Sequence, residues 1–254
     1  MILTFDVGNT NIVIGGFDNH KLVVVSRLAT RIGKTEDEYA IKLKCILSLN
    51  DIEQSQIDGC IISSVVPQLN LALKKAVSKA FGVDSIIVGP GIKTGINIKT
   101  DNPAIVGADL ICASVAADNL YDTPVLILDM GTATKIMVVD DDHTFMGLSI
   151  IPGMEISMNA LSGGTAQLPY INLEIPPRVL GRNTIDCMRS GAIFGTASMI
   201  DGMVDRIAEE LGVMPTLVAT GGLCSYVVPS CKHEFIVDDH LLLKGLDVIY
   251  HKNM

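Results

Sequence analysis

Four short segments carry residue types suited to handling phosphate and protons. Asp6-Val7-Gly8-Asn9-Thr10-Asn11 places a carboxylate at the end of an apolar run, then turns through a polar, glycine-containing stretch. Glycine lets backbone N–H groups approach an anion with no Cβ in the way. Asn9 and Thr10 add side-chain donors, and Asp6 could hold a hydrated Mg2+ against a polyphosphate. Asp129-Met130-Gly131-Thr132-Ala133-Thr134 repeats the arrangement. Hairpin preference alone explains one such turn. It does not explain two at equivalent points of two halves. Ala219-Thr220-Gly221-Gly222-Leu223 runs from a strand into a glycine pair, where a flat adenine or ribose could lie against the backbone. Finally, Asp101-Asn102-Pro103 leads to Gly107-Ala108-Asp109-Leu110. Asn102 is held extended by the following proline, so a helix can start at Pro103. Asp109 would then lie about two turns inside that helix, after small residues that permit close approach. Such a carboxylate is a candidate general base, the alternative being a solvent-facing helix aspartate.

The elements that must position these segments follow from apolar periodicity. Ile2 to Asp6, Ile12 to Phe17 and Lys21 to Arg27 read as a meander of three antiparallel strands. Thr35 caps a helix over Glu36–Leu49, in which Tyr39, Leu43 and Ile46 share a face. A strand over Gly59–Val65, a helix over Pro67–Phe81, a strand over Ser85–Val88 and a helix over Ala104–Asn119 follow. The pattern then restarts, with strands at Val125–Asp129, Ile136–Val139 and Thr144–Ile150. Helices over Gly153–Leu161 and Ile185–Leu211, a strand at Thr216–Thr220, a short helix after Gly222 and a last helix from His240 to Tyr250 complete it. The stretches ILTFDVGNTNIVI and VLILDMGTATKIM align as repeats. The fold class expected is α/β, duplicated, with domains 1–116 and 117–254 and a ligand cleft between them.

Composition narrows the function. Of 254 residues 48% are apolar and 4% aromatic, with no Trp, so the core is aliphatic. The net charge of −9 with no dense basic run argues against nucleic acid as a partner. An anionic substrate must be held by local donors. No secretory leader and no apolar run of about 18 residues is seen, so no membrane association is expected. The six cysteines form no Cys-x-x-Cys pair and read as buried free thiols of a reducing cytoplasm. The five histidines show no metal-ligand spacing and read as surface residues. Neither a Gly-x-Ser-x-Gly elbow nor a Walker A lysine motif is present.

Together the four segments resemble those of the type III pantothenate kinases, within the acetate and sugar kinase, Hsp70 and actin superfamily. The resemblance covers essentially the whole chain. Ile151-Pro152-Gly153, Ala166-Gln167-Leu168-Pro169 and Gly181-Arg182-Asn183-Thr184 also match. It implies duplicated ribonuclease H-like, actin-like ATPase domains. It implies phosphorylation of pantothenate by ATP to 4′-phosphopantothenate, which opens coenzyme A synthesis. It further implies a cytoplasmic homodimer using ATP, Mg2+ and a monovalent cation, K+ or NH4+. Asp109 would take the proton of the pantothenate hydroxyl. Asp6, Gly8, Asn9, Thr10, Asn11, Gly131, Thr132, Gly221 and Gly222 would bind ATP. Asp6 would hold Mg2+ through water and Asp129 would hold K+. Thr100, Gly107, Ala108, Leu110 and Thr184 would meet pantothenate, Thr184 near a dimer interface. Three positions depart from the family pattern: Leu110 replaces an arginine, Thr100 an aromatic residue, and Lys135 a second threonine. Two other readings stay open, a same-fold kinase for another small alcohol and a non-catalytic nucleotide-binding regulator. Asp109 beside both phosphate motifs weighs against the regulator, since a binding module needs no base.

Overall fold

The computed structural model describes residues 1–254, the side chain of Ala104 excepted. Strand β1 (Ile2–Val7) is buried along almost its whole length because it lies at the centre of a sheet. β2 (Asn11–Asp18) and β3 (Lys21–Ala29) run antiparallel on one side of it. β4 (Gly59–Ser64) and β5 (Ser85–Ile87) run parallel on the other, giving the order β3-β2-β1-β4-β5. Asn19 and His20, with φ of 47° and 63°, make the tight β2–β3 turn, whose hand matches strand twist. Helix α1 (Glu36–Leu49) begins in a reciprocal cap. The Thr35 side chain accepts from the Glu38 N–H, and the Glu38 carboxylate accepts from the Thr35 N–H. Helix α2 (Pro67–Phe81) starts on proline and ends at Gly82, φ 74°, which only glycine adopts without strain. Phe5, Val7, Ile12 and Ile14 meet Tyr39 and Leu43 of α1 and Leu69, Leu73 and Val77 of α2 in one core.

The second unit repeats the plan. β7 (Val125–Met130), β8 (Ala133–Val139) and β9 (Thr144–Pro152) form the meander, and β10 (Thr216–Thr220) and β11 (Ile236–Val237) extend it in parallel. The edge strand β6 (Asn97–Ile98) joins β9, so the order is β11-β10-β7-β8-β9-β6. Even the register slip recurs, at Gly16/Phe17 in one meander and Val138/Val139 in the other. Helices α4 (Met154–Gly163), α5 (Thr184–Ser190), α6 (Thr196–Leu211) and α7 (Cys224–Val227) complete it. The α/β duplication expected from the sequence is therefore present.

Several local expectations are corrected. The helix expected over Ile185–Leu211 is α5 and α6 joined by a π turn, Gly191–Gly195. Glycine at each end eases the wider winding. β6 and β11 have two residues each, too short to show a period. The helix expected from Ala104 starts later, as α3 (Ala108–Leu120), after a separate 3-10 turn over Pro103–Ile105. Asp109 therefore lies in the first turn of its helix.

The chain divides into two compact units. One compact unit comprises Met1–Ile96, Asp101–Asn119 and His240–Met254; the other comprises Asn97–Thr100 and Leu120–Asp239. The last helix, α8 (Leu241–Lys252), returns to the first unit, where it packs on β1 and β4 and Gly245 lies against the Cys112 backbone of α3. Asn97–Thr100 goes to the second unit because β6 pairs with β9. The histidines are not all isolated surface residues. His20 Nδ1 lies 2.7 Å from Oδ2 of buried Asp247, and the His20 and His251 rings are 4.3 Å apart. These contacts fasten the β2–β3 turn to α8.

Candidate functional site

The first hairpin is tied on both sides. Val7 pairs with Ile12 and Asp6 with Val13. The Gly8 N–H donates to the Asn11 carbonyl at 2.9 Å. Just beyond β3, the Thr30 hydroxyl donates to the Gly8 carbonyl at 2.7 Å, and its N–H to the Thr10 carbonyl at 2.9 Å. Asn9, Thr10 and Asn11 are exposed on this fixed turn. Asn9 lines a cavity of about 440 Å3 with Thr30, Arg31, Ile32, Val65, Val66 and Gln68. Arg31 brings a cation there, and Val66 leads into α2, whose N-terminus carries positive potential. Sequence reasoning missed Arg31, which lies outside every motif. Asp6 is a half-buried strand-end carboxylate that pairs across the strands with Val13.

Asp109 is half-buried in the first turn of α3. Its carboxylate lies over Gly107, where a Cβ would meet Oδ1 unless the Asp109 side chain turned away. Ala108 is half-buried too, while Leu110 is 8% exposed and belongs to the interior. Cys112, one turn on, is fully buried. Burial, with the Asp6 and Asp109 carboxylates adding to it, pushes its thiol well above the ordinary range. Both carboxylates thus act on one thiol, which brings Asp6 and Asp109 to the same region of the first unit. Thr100 belongs to the second unit. Its Oγ1 is buried and lacks a hydrogen-bond partner among the described residues.

The second hairpin is one residue tighter. Met130 pairs with Thr134, Asp129 with Lys135, and the Gly131 N–H donates to the Ala133 carbonyl at 3.2 Å. Two glycines let other segments close on it. A Cβ on Gly153 would strike the Thr132 carbonyl, so Ile151-Pro152-Gly153 lies directly against the turn. Gly221, with φ 102°, would place a Cβ 2.6 Å from the Met130 carbonyl oxygen. Gly222 is under no such constraint. Thr220 pairs in register with Asp129 and accepts the Cys224 thiol at 2.8 Å through its carbonyl. Burial, with Asp129 adding to it, pushes that thiol up to about 12.

Lys135 changes the reading of Asp129. Its Nζ lies 2.7 Å from Asp129 Oδ2, with side chains only 16% and 19% exposed. A potassium ion does not fit the carboxylate held in this way: the ammonium already supplies the charge, and a second cation would be repelled.

Thr184 opens α5, where the Asn183 side chain accepts from the Asp186 N–H at 2.9 Å. Thr184 lines a cavity of about 860 Å3 with Thr134, Arg182 and the apolar Ile151, Met154 and Met158.

The family model for type III pantothenate kinase matches residues 2–206. The type III pantothenate kinase of Geobacillus sp. (strain WCH70) is 44% identical over 254 residues, spanning 100% of this chain and 98% of that protein. That of Halalkalibacterium halodurans is 43% identical over 254 residues, spanning 100% of both. Among solved structures, component A of (R)-2-hydroxyglutaryl-CoA dehydratase from Acidaminococcus fermentans superposes with a TM-score of 0.59 at 14% identity, over 98% of this chain and 96% of that one. The ethanolamine utilization protein EutJ from Carboxydothermus hydrogenoformans gives 0.53 at 12%, over 97% and 89%. These two likenesses concern the fold alone. With a matching family model and relatives at this identity over its whole length, the chain belongs to the type III pantothenate kinase family.

Proposed function

We propose that this kinase transfers the γ-phosphoryl group of ATP to the primary hydroxyl of pantothenate, with Asp109 as general base. The carboxylate takes the hydroxyl proton as the oxygen bonds to the γ-phosphorus, and ADP leaves. The product, 4′-phosphopantothenate, feeds coenzyme A synthesis. Asp109 carries this reading: its carboxylate lies over Gly107 at the head of α3, in the same region as Asp6. Phosphoryl transfer is mainly positioning plus charge neutralisation, so one base beside well-held phosphates suffices. Asn9, Thr10 and Asn11 with Gly8, and Thr132 with Gly131, would hold phosphate; Gly221 and Gly222 would receive the adenosine. Asp6 would hold Mg2+ through water, and the ion would neutralise phosphate charge.

On the acceptor side, Gly107 and Ala108 adjoin Asp109 in sequence, and Thr100 would also meet pantothenate. Thr184 would contact pantothenate near the interface of a homodimer, and the six free cysteines accord with a reducing cytoplasm. Leu110 favours one second reading, a different small alcohol as acceptor, because a buried leucine offers no donor to the pantothenate carboxylate. Coupled ADP release, measured with pantothenate and a panel of other alcohols, decides between them. Asp109→Asn should lower kcat by about 10²- to 10⁴-fold. A folded Asp109→Asn protein with unchanged kcat would remove Asp109 from the role of base.

A further inference from the structure

We infer that Lys135 is a tethered cation that neutralises Asp129 at the second phosphate hairpin, so that this kinase needs no potassium or ammonium ion there. The inference rests on the reading of the β7–β8 turn as a phosphate-holding turn. Asp129 and Lys135 are direct cross-strand partners, which puts both side chains on one face of the sheet. Their charged atoms are 2.7 Å apart and mostly shielded from water. Solvent and salt therefore screen the pair weakly. A bare carboxylate at this place would repel a polyphosphate, in a protein that already carries −9. The lysine ammonium is chemically an ammonium ion fixed to the strand.

The other reading is an ordinary cross-strand ion pair that serves folding. The duplication argues against it. In the first hairpin the same strand-end aspartate, Asp6, stands opposite Val13. The cross-strand place that Lys135 takes in the second hairpin is held there by a valine. A cation at residue 135 is thus not a folding requirement of the motif.

The test uses the full-length enzyme in potassium, sodium and choline buffers. Steady-state rate is measured together with calorimetric affinity for a non-hydrolysable ATP analogue with Mg2+. The wild type should give the same rate and affinity in all three. Lys135→Thr should bind the analogue about 10- to 100-fold more weakly in choline. Potassium or ammonium should restore it. Lys135→Arg, which keeps the charge, should remain indifferent to the buffer. A wild type that needs potassium overturns the inference while leaving the phosphate-turn reading intact. So does a folded Lys135→Thr protein weakened equally in every buffer, since that is how a merely structural pair behaves. If neither Lys135→Thr nor Asp129→Ala alters analogue binding in any buffer, the β7–β8 turn holds no phosphate, and the inference falls with that reading.

Discussion

At the scale of single residues, environment separates side chains of the same type. Cys60 is fully buried, and burial pushes its thiol up to about 12. Burial likewise raises Cys112, Cys224 and Cys231. Cys45 and Cys187 are exposed, against the expectation that the thiols are buried. Only a thiolate attacks a disulfide reagent, so accessibility and thiolate fraction should act together. With Ellman's reagent at mildly alkaline pH, Cys45 and Cys187 should react in the native protein, and the other four only after unfolding in guanidinium. Four or more fast thiols in the native protein would contradict this burial pattern. Leu110 shows the same dependence on surroundings. Its apolar side chain, 8% exposed, offers no hydrogen bond to an anion. Capture of the acceptor's carboxylate therefore falls to residues other than Leu110.

At the scale of elements, α3 is positioned from behind by α8. A Cβ on Gly245 would fall on the Cys112 carbonyl oxygen, so the two helices meet backbone to backbone. Gly245→Ala must push them apart, and overpacking of this kind costs about 1–3 kcal/mol or more. Because α3 carries Asp109, both the melting temperature and kcat should fall. Gly202, inside α6, is the control. A Cβ there meets nothing within 4 Å. Ala in place of a helical Gly gains about 1 kcal/mol at best, so Gly202→Ala should melt at the wild-type temperature or above. Thermal unfolding of the two variants checks both expectations. Equal melting temperatures would mean that the α3–α8 contact bears no strain.

At the scale of the whole molecule, exposed apolar side chains gather in one stretch of the second unit. Ile150, Tyr170, Val179 and Leu180 are 69%, 74%, 62% and 83% exposed. Thr184 and the larger cavity adjoin this stretch in sequence. Single exposed apolar residues need no explanation, and those that flank the segment bearing Thr184 give the proposed homodimer a place to be tested. Leu180→Asp should shift the protein from dimer to monomer by light scattering after size exclusion, and should raise the KM for pantothenate if Thr184 acts near the interface. A wild-type monomer would dispose of the homodimer. No helix among the described residues is long and apolar enough to cross a membrane.

Much of this was legible in the sequence because it is local. The bounds of α1 and α2 follow from Thr35, Glu38, Pro67 and Gly82, whose effects reach only a turn or so. The duplication follows from two hairpin motifs written alike, and family membership from the motifs taken together. The tertiary structure decided what depends on residues distant in sequence or on exact register. It brought Arg31 to the cavity that Asn9 lines. It returned α8 to the first unit, and so made Gly245 a neighbour of the helix that bears Asp109. It set Lys135 opposite Asp129. A slip of one residue would have turned that lysine to the other face of the sheet. Composition could not choose between those faces, because the choice is made by backbone pairing across β7 and β8 and by the core that forms behind them.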